Sequence, residues 1–448
     1  MTTRPHGHGP DPSPTGAPPS GVSGSATSVA IGSATTVASG SATAGGAALI
    51  AARLDRIPPN RFHLRLAAVL GTGTFFDGFD AISVAVVLAA IVGHFHLSIG
   101  TAGLIISAGY LGQFVGALVV GALSERIGRR AAFALCLICF GLLSLLAALS
   151  WSSTSLLVCR LVQGVGLGAE VPVAATLMNE YLSTRRRGRV GMFYQSLYGW
   201  GLFFPPLVAL LLVAAVGPAE AWRYLFAVGA IPAAVGLYAW FRLPESARWL
   251  AGRGRLAEAD ALVGRVESEA RRRGHLLAEP VPVAVAPSAR FQPGELLRGG
   301  YRGRTVMLWS AWFLGSFINY GCSVWLPTLY VRLGGATPTV ALVLTACVGA
   351  LSVLCVLVAA LVIDRFGRRR LLIAGFTLML VGSVIGTLGV GGFGWARLPV
   401  LIVAGAVVGI GAPLVLGPLW IYTAELYPTR MRGWGSSVAS GMKNAASI

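Results

Sequence analysis

The stretch Gly121–Arg130, GALSERIGRR, decides the fold of this chain because it occurs twice. Its second copy, ALVIDRFGRR at 360–369, follows after 239 residues (365 − 126 = 239). Another pair of stretches, EYLSTRRRG at 180–188 and ELYPTRMRG at 425–433, is separated by 245 residues (425 − 180 = 245). Two motifs that recur at nearly the same offset indicate two parallel structural repeats within one chain.

Both motifs occur in short loops between long apolar runs. The 448-residue chain is 55% hydrophobic and 12% charged, with a mean hydropathy of +0.72, whereas a soluble protein carries about 25% charged residues. A run of roughly 20 apolar residues spans a bilayer as a helix, so we predict an all-α polytopic membrane protein. The predicted spans are 64–92, 101–123, 131–150, 155–180, 190–216, 222–243, 304–331, 338–363, 371–391 and 398–424, and an eleventh begins near Trp434.

The net charge of +18 comes from arginines in the loops after the second, fourth, sixth, eighth and tenth predicted spans. In a soluble chain such a charge would suggest nucleic-acid binding, but basic loops mark the cytoplasmic side of a membrane protein. We therefore predict a multi-pass protein of the plasma membrane, the cell inner membrane, with a cytoplasmic N-terminus and no nucleic-acid partner. Lys443 is the only lysine, a bias to which we assign no mechanism.

Composition divides the chain into four parts. Residues 1–52 are rich in Pro, Gly, Ser, Ala and Thr and are predicted to be a disordered tail. Residues 53–243 hold the first six spans, and residues 304–448 hold the second bundle. The polar segment 244–303 links them, and the helical periodicity of Ser246–Arg273 predicts a cytoplasmic amphipathic helix against the bundle or the lipid surface.

With these motifs the chain resembles the major facilitator superfamily. RLVQGVGLG at 160–168 and LPESARWL at 243–250, together with the motif at 425–433, are similar to sugar porters and to related metabolite/proton symporters, including nicotinate-type transporters. The stretch Asp77–Asp80, DGFD, looks like the first-span motif of aromatic-acid/proton symporters. The resemblance covers residues 60–448 and implies the major facilitator fold, two six-helix repeats that rock about a midplane site.

The chain departs from the family pattern at its end. From Gly188 to the end of the sixth span there are 55 residues, but only 15 follow Gly433. We therefore expect most of span eleven and all of span twelve to be absent, because the chain is a fragment or the gene is truncated. Within the loops, Glu125 stands where the family usually has Asp, and Ala360 replaces Gly.

Two carboxylates, Asp77 and Asp80, lie three residues apart inside the first predicted span. An ionisable group in a membrane span is costly and normally faces a polar interior where it has a function. Residues i and i+3 share one face of a helix, so both acids are predicted to line one cavity and couple transport to protons. The alternative is that one acid lies near the headgroups and only snorkels.

The resemblance implies that Asp80 pairs with Arg160 of the fourth span as a proton switch, because an ionised Asp80 holds Arg160 and a protonated one releases it. Counted from the outer ends of the spans, Arg160 lies about 8 Å deep and Asp80 about 20 Å. The pair therefore requires Arg160 to reach inward or the first span to end early, and otherwise Arg160 is an outward anchor. Glu170 is predicted as a second protonatable group or a substrate ligand, or else a neutral acid that bonds a neighbouring helix.

Polar and aromatic side chains near mid-span are the predicted substrate contacts, and the two repeated loops are predicted to gate the conformational change. Tryptophan and tyrosine at span ends belong more often to interface belts. The predicted substrate contacts are Gln195, Tyr198, Asn319, Tyr320, Trp325 and Trp420. The predicted gating residues are Gly121, Glu125, Arg126, Gly128, Arg129, Asp364, Arg365, Gly367, Arg368, Glu180, Arg187, Glu425 and Arg432.

These features predict a secondary active transporter that takes up a small organic solute with protons by alternating access, with an organic or aromatic acid as the preferred solute. The alternatives are a sugar or polyol porter, an exporter of drugs or metabolites, and a truncated non-transporting remnant or sensor. No span or loop assembles a nucleophile, a base and an orienting group, so no enzyme is predicted. We expect a monomer in the lipid bilayer, with no cofactor and no metal; the six cysteines fall within predicted spans as core thiols.

Overall fold

A computed structural model describes residues 45–58, 60–182, 187–280, 293–391, 397–427 and 429–448. The described part of the chain is helical and contains no β-strand, which confirms the all-α prediction. The helices are α1 (45–55), α2 (Arg61–Phe95), α3 (Ile99–Ile127), α4 (Arg129–Ala148), α5 (Ser153–Tyr181), α6 (Arg187–Val216), α7 (Ala221–Val228), α8 (Ile231–Arg242), α9 (Ala247–Gly252), α10 (Leu256–Arg272), α11 (Arg302–Arg332), α12 (Pro338–Phe366), α13 (Arg368–Gly391), α14 (Arg397–Leu426) and α15 (Thr429–Ala445), with short 3₁₀ helices at Pro293–Leu297 and Gly299–Tyr301.

Nine segments among the described residues are long and apolar enough to cross a membrane, and they match nine of the predicted spans. They lie in α2 to α6, in the pair α7 and α8, and in α12 to α14. The predicted span 304–331 corresponds to α11, which is not among these nine segments. At about 1.5 Å per residue its 31 residues are long enough to cross a bilayer. Its apolar sequence is interrupted by Trp, Tyr, Ser and Asn, which makes it less hydrophobic than the nine. The predicted start of an eleventh span lies in α15.

The internal repeat extends to the loop geometry and to the ion pairs. Gly128 and Gly367 end α3 and α12 with φ of +100° and +79°, values that favour glycine. In the first half, Arg129 Nε lies 3.5 Å from the carboxylate of Glu180. In the second half, the equivalent Arg368 Nη2 lies 3.0 Å from Glu425. Equivalent loop residues of the two halves therefore make equivalent contacts.

The two halves meet in a symmetric pattern. Helix α2 contacts α11, and these are the first spans of their respective halves. Helix α3, the second span, contacts α15, the fifth span of the other half, and α12 contacts α6 in the same exchanged way. The two halves are therefore related by an approximate two-fold axis. The contact between a second span and the opposite fifth span occurs twice, and the contact between the two first spans lies at the axis.

The first described residues differ from the prediction of a disordered tail. Residues 45–52 were assigned to that tail by composition, but they belong to α1, and both Ile50 and Leu54 are buried. Residues 1–44 lie outside the described residues. Apolar side chains of α1 therefore pack into the bundle just before α2 begins.

The linker contains two helices where the periodicity predicted one. The predicted helix Ser246–Arg273 is broken between α9 and α10 at residues 253–255. The buried apolar residues of α10 are Ala259, Val263, Val266 and Ala270, and they join the same apolar cluster as α1. Of the two surfaces that the prediction left open for this helix, the structure supports the bundle.

Ion pairs fix α10 against α1. Arg53 and Arg56 both donate to the carboxylate of Glu267, with N–O distances of 2.9 and 2.6 Å, and Arg53 also pairs with Asp260. Burial raises the pKa of Glu267, but hydrogen bonds from the two guanidinium groups outweigh it and hold that pKa below its usual value. The carboxylate is therefore ionised at neutral pH and binds both arginines.

Candidate functional site

The charged centre of the molecule is an ion pair between α2 and α5. Arg160 Nη1 donates to both carboxylate oxygens of Asp80, at 2.7 and 2.9 Å. Gln163, one turn further along α5, donates to Asp80 at 2.9 Å and accepts from Arg160 at 2.8 Å. Asp80 and Arg160 are only 3% and 5% exposed, so both charges are taken out of lipid and water and matched to one another.

The structure resolves the depth mismatch between these two residues. Helix α2 continues to Phe95, beyond the predicted end of the first span, so the span does not end early. The side chain of Arg160 instead extends to Asp80, and its guanidinium carbon also lies 5.9 Å from the ring centroid of Phe226. This geometry is not that of an outward anchor. Gln163 was missed at the sequence level, although its position three residues after Arg160 puts it on the same helix face.

Close backbone contact between α2 and α6 positions the second acid. Asp77 is 3% exposed and therefore does not face lipid. A Cβ at Gly78 would collide with the carbonyl oxygen of Tyr198, and one at Gly201 would collide with the carbonyl oxygen of Phe75. Glycine at both positions therefore lets the two helices touch, and this contact brings the Asp77 region of α2 alongside Tyr198.

Glu170 forms a separate buried polar centre on α5. It is 1% exposed, and neither of its carboxylate oxygens has a hydrogen-bond partner among the described residues. It faces Gly73 of α2, where a Cβ would collide with the carboxylate. The adjacent Thr74 hydroxyl donates to Tyr194, whose hydroxyl in turn donates to a backbone carbonyl. Glu170 is thus an unpaired acid in the interior, and its role in proton coupling stays a prediction.

An aromatic cluster joins the two halves. The hydroxyl groups of Tyr198 in α6 and Tyr320 in α11 are 2.8 Å apart. The ring of Tyr110 in α3 lies 5.1 Å from the ring of Tyr320. The ammonium of Lys443 in α15 lies 5.8 Å from the ring centroid of Tyr198. Four helices thus contribute to one cluster, and two of its members, Tyr198 and Tyr320, are among the predicted substrate contacts.

Lys443 was assigned no role from the sequence, but the structure places it in the aromatic cluster between the two halves. It is half-buried, and its ammonium faces the ring of Tyr198 in the other half. The signal that could have found it was a lone basic residue within a predicted span, because such residues are rare and face the bundle interior.

The other predicted substrate contacts are more scattered. Asn319 is buried next to Tyr320 in the chain. Trp325 packs against the same apolar cluster as Tyr320, whereas Trp420 packs on Trp312 in a different cluster, with ring centroids 4.9 Å apart. The side chain of Gln195 lies outside the described residues.

The first of the two repeated loops is capped by Glu245, an acid that was not among the predicted gating residues. Glu245 Oε1 accepts from the backbone amides of Arg129 and Arg130, at 2.9 and 3.1 Å, at the start of α4. A carboxylate at a helix N-terminus is stabilised by the unpaired amides and the helix dipole. Glu125 lies 2.7 Å from Arg129 in the same loop, and its backbone carbonyl accepts from Trp249 at 3.0 Å. The loop therefore fastens α3, α4 and α9 together.

Of the remaining gating residues, Arg126 and Arg365 are exposed. The surroundings of Gly121 and the side chains of Asp364, Arg187 and Arg432 are not among the described parts of the chain. The gating role of the whole set stays a prediction.

Comparison with known proteins identifies the family. Residues 66–448 match the family model described as "Sugar (and other) transporter". The chain belongs to this family, within the major facilitator superfamily. The resemblance inferred from the loop motifs is confirmed, and the protein is a membrane transporter and not an enzyme.

Relatives with assigned solutes cover most of the chain. The niacin transporter NiaP of Acinetobacter baylyi is 31% identical over 410 residues, which is 89% of this chain and 88% of that protein. The 4-hydroxybenzoate transporter PcaK of Pseudomonas aeruginosa is 28% identical over 421 residues, 89% of this chain and 87% of that protein. A solved structure of the proton:xylose symporter XylE, bound to 6-bromo-6-deoxy-D-glucose, superposes with a TM-score of 0.66 at 21% identity, over 86% of this chain and 87% of that one. The likeness to XylE establishes the fold.

Proposed function

We propose that this transporter takes up a small organic acid, preferably an aromatic one, together with protons by alternating access. The observation that carries the proposal is the buried ion pair of Asp80 and Arg160 between α2 and α5. A charge pair inside a membrane bundle is rare and is typical of proton and ion pathways. The named solutes of the relatives, niacin and 4-hydroxybenzoate, support the choice of an aromatic acid.

The ion pair supplies a physical reason for coupling. While Asp80 is ionised, it neutralises Arg160 and accepts from Gln163. A proton on Asp80 removes the negative charge and leaves the guanidinium buried without its counter-ion, which costs several kcal/mol, about 3–5 in comparable pairs. A rearrangement of α5 against α2 that finds Arg160 a new partner relieves this cost. Protonation and conformational change therefore favour one another.

The remaining assignments follow from the charge pattern. We place the arginine-rich loops and the linker 244–303 on the cytoplasmic side of the plasma membrane, with the N-terminus also inside. Residues 53–243 and 304–448 are then the two halves that rock about the buried centre. The protein acts as a monomer in this proposal, since the site lies between the halves of one chain.

A sugar or polyol porter is the second candidate function. It is favoured by the LPESARWL stretch at 243–250 and by the fold that the chain shares with a xylose symporter. A sugar is neutral, so it can accept a hydrogen bond from an ammonium but forms no ion pair with it, whereas the aromatic cluster suits either ring system. Uptake of xylose without uptake of acids would favour this alternative.

Uptake into proteoliposomes tests the proposal. We expect the full chain to accumulate labelled niacin or 4-hydroxybenzoate when the lumen is alkaline, and only to equilibrate it without a pH gradient. Asp80→Asn has nearly the same volume and no charge, so it should lose accumulation while keeping counterflow exchange. Equal uptake with and without the gradient, or normal accumulation by Asp80→Asn, would contradict the proposed coupling. Absence of uptake for every acid and sugar would favour a non-transporting remnant.

A further inference from the structure

We propose that Lys443 binds the carboxylate of the transported acid, with the hydroxyl pair of Tyr198 and Tyr320 as its partner. This assignment rests on the proposed function and identifies which part of the solute the protein recognises. It places the anion site between the halves, since Tyr198 lies in the first half and both Tyr320 and Lys443 lie in the second. Occupancy of such a site would depend on how the halves are arranged.

The position of Lys443 suits an internal site. Its helix, α15, packs against α3 of the first half and against α11 of its own half. Its ammonium lies 5.8 Å from the ring centroid of Tyr198, within the range of a cation–π contact. A lysine near the end of a span often snorkels to the membrane surface. Lys443 instead is half-buried and turned toward the aromatic cluster.

The ammonium of Lys443 has no carboxylate partner among the described residues. Asp80 is matched by Arg160 at 2.7 Å, so these two charges cancel. Asp77 and Glu170, the other buried acids of the spans, form no ion pair with Lys443 among the described residues. A carboxylate brought by the solute can therefore approach the ammonium without first breaking a salt bridge.

The tyrosine pair adds a second donor. Two hydroxyl groups 2.8 Å apart share one hydrogen bond, in which one hydroxyl donates and the other accepts. The accepting hydroxyl keeps its own proton, which can be donated to a carboxylate oxygen. Ammonium and hydroxyl together then supply one donor to each oxygen of the anion, and charge-assisted bonds of this kind are stronger than neutral ones.

The rings around the site suit an aromatic acid. Tyr110 and Tyr320 lie 5.1 Å apart with a tilted geometry, and aromatic rings gain additional stabilisation from offset or edge contacts. A flat acid held by its carboxylate at Lys443 brings its ring toward these side chains. The site is thus specific for the charged group, while the rings tolerate different substituents.

Pairs of acid and amide test the assignment. Niacin and nicotinamide have the same pyridine ring, but niacin carries a carboxylate where nicotinamide carries a neutral amide. 4-Hydroxybenzoate and 4-hydroxybenzamide differ from one another in the same way. In Lys443→Met, which keeps most of the length of the side chain and removes the charge, we expect the affinity for the acid in counterflow to fall about tenfold to a hundredfold. The matched control Lys443→Arg keeps the charge and should retain the acid within a few-fold. The weak affinity for the amide should not change in either variant.

The single lysine allows a second measurement on the unmodified protein. An amine-acylating reagent can label only Lys443 and the N-terminal amine, because the chain has no other lysine. Mass spectrometry of the labelled peptides should show that niacin slows the labelling of Lys443 and leaves the N-terminal amine unaffected, while nicotinamide protects neither. This measurement stands even if Lys443→Met fails to fold.

The outcomes separate this inference from the proposed function. If the wild-type chain accumulates an acid but Lys443→Met keeps its affinity, or if the acid does not protect Lys443, the anion site is elsewhere and the transporter assignment is unaffected. If the wild-type chain neither binds nor accumulates any acid, the proposed solute class itself is wrong. Loss of acid affinity in Lys443→Met together with protection of Lys443 supports the site.

Discussion

Removing one charge of the Asp80–Arg160 pair should destabilise the protein more than removing both. Asp80→Asn leaves the guanidinium of Arg160 buried without a counter-ion, and Arg160→Met does the same to the carboxylate. Three hydrogen bonds end on Asp80, two from Arg160 and one from Gln163, and a bond to a charged group contributes about 1.5–3 kcal/mol. Since these contributions are not independent, we expect each single variant to lose about 3–5 kcal/mol, the usual cost of breaking a buried pair.

The double variant Asp80→Asn/Arg160→Met carries neither charge, and replacement of a whole buried pair is often nearly neutral. We therefore expect it to be more stable than either single variant. Unfolding by dodecyl sulfate in mixed micelles, followed by circular dichroism, gives the four free energies of the cycle. The control is Glu220→Gln, which breaks an exposed pair with Arg223 and should cost about 1 kcal/mol or less. If the double variant loses the sum of the two single losses, the two side chains do not interact in the membrane.

Three further changes test other parts of the structure. Gly128→Ala adds a Cβ at φ +100° that also collides with Glu245, so it should cost at least about 1–2 kcal/mol in the same unfolding assay. Glu267→Gln should release α10 from α1 and make Arg265 a faster site of tryptic cleavage. In the wild type, the pKa of Glu267 is lowered, so this contact is complete above its ordinary pKa and is lost as the pH falls through the lowered value. Tyr198→Phe should raise the KM for a transported acid about twofold to tenfold, because it removes one hydroxyl of the pair with Tyr320 while the other hydroxyl can still donate to the carboxylate.

Each of these changes has a matched control. Gly264→Ala lies in α10, where an added Cβ has no neighbour within 4 Å, and should be neutral or slightly stabilising. Glu258→Gln breaks an exposed ion pair on the same helix and should leave the cleavage rate unchanged. Tyr238→Phe alters an exposed tyrosine and should leave KM unchanged. Equal effects in a variant and its control would refute the contact assigned to that variant.

The spans and the ion pair could be predicted because their signals are local. A long apolar run defines a span by itself, and Asp80 and Arg160 stood out as charges within such runs. Their depth could not be derived by counting from span ends, because a long arginine side chain reaches several ångströms along the helix. Helix α1 was missed for another reason, since the Ala- and Leu-containing residues 47–52 were averaged with the low-complexity tail before them.

The contacts that the sequence analysis missed join residues that are distant in the chain. Glu245 accepts from the amide of Arg129, 116 residues earlier, and no local pattern marks a carboxylate that will cap another helix. Lys443 lies 245 positions after Tyr198, and only the packing of α15 against the other half brings them together. Trp420 resembled Trp325 as an aromatic residue in a span, but the two pack into different apolar clusters.

The glycine contact between α2 and α6 limits which parts of the molecule are free to shift. Main chains that touch at Gly78 and Gly201 have no intervening side chain to rearrange, so we expect the two helices to move together. The acids of α2 then keep a nearly constant separation from Tyr198 through a transport cycle. The hydroxyl contact between Tyr198 and Tyr320 has no such constraint, and its breakage would be a direct spectroscopic reporter of the halves coming apart.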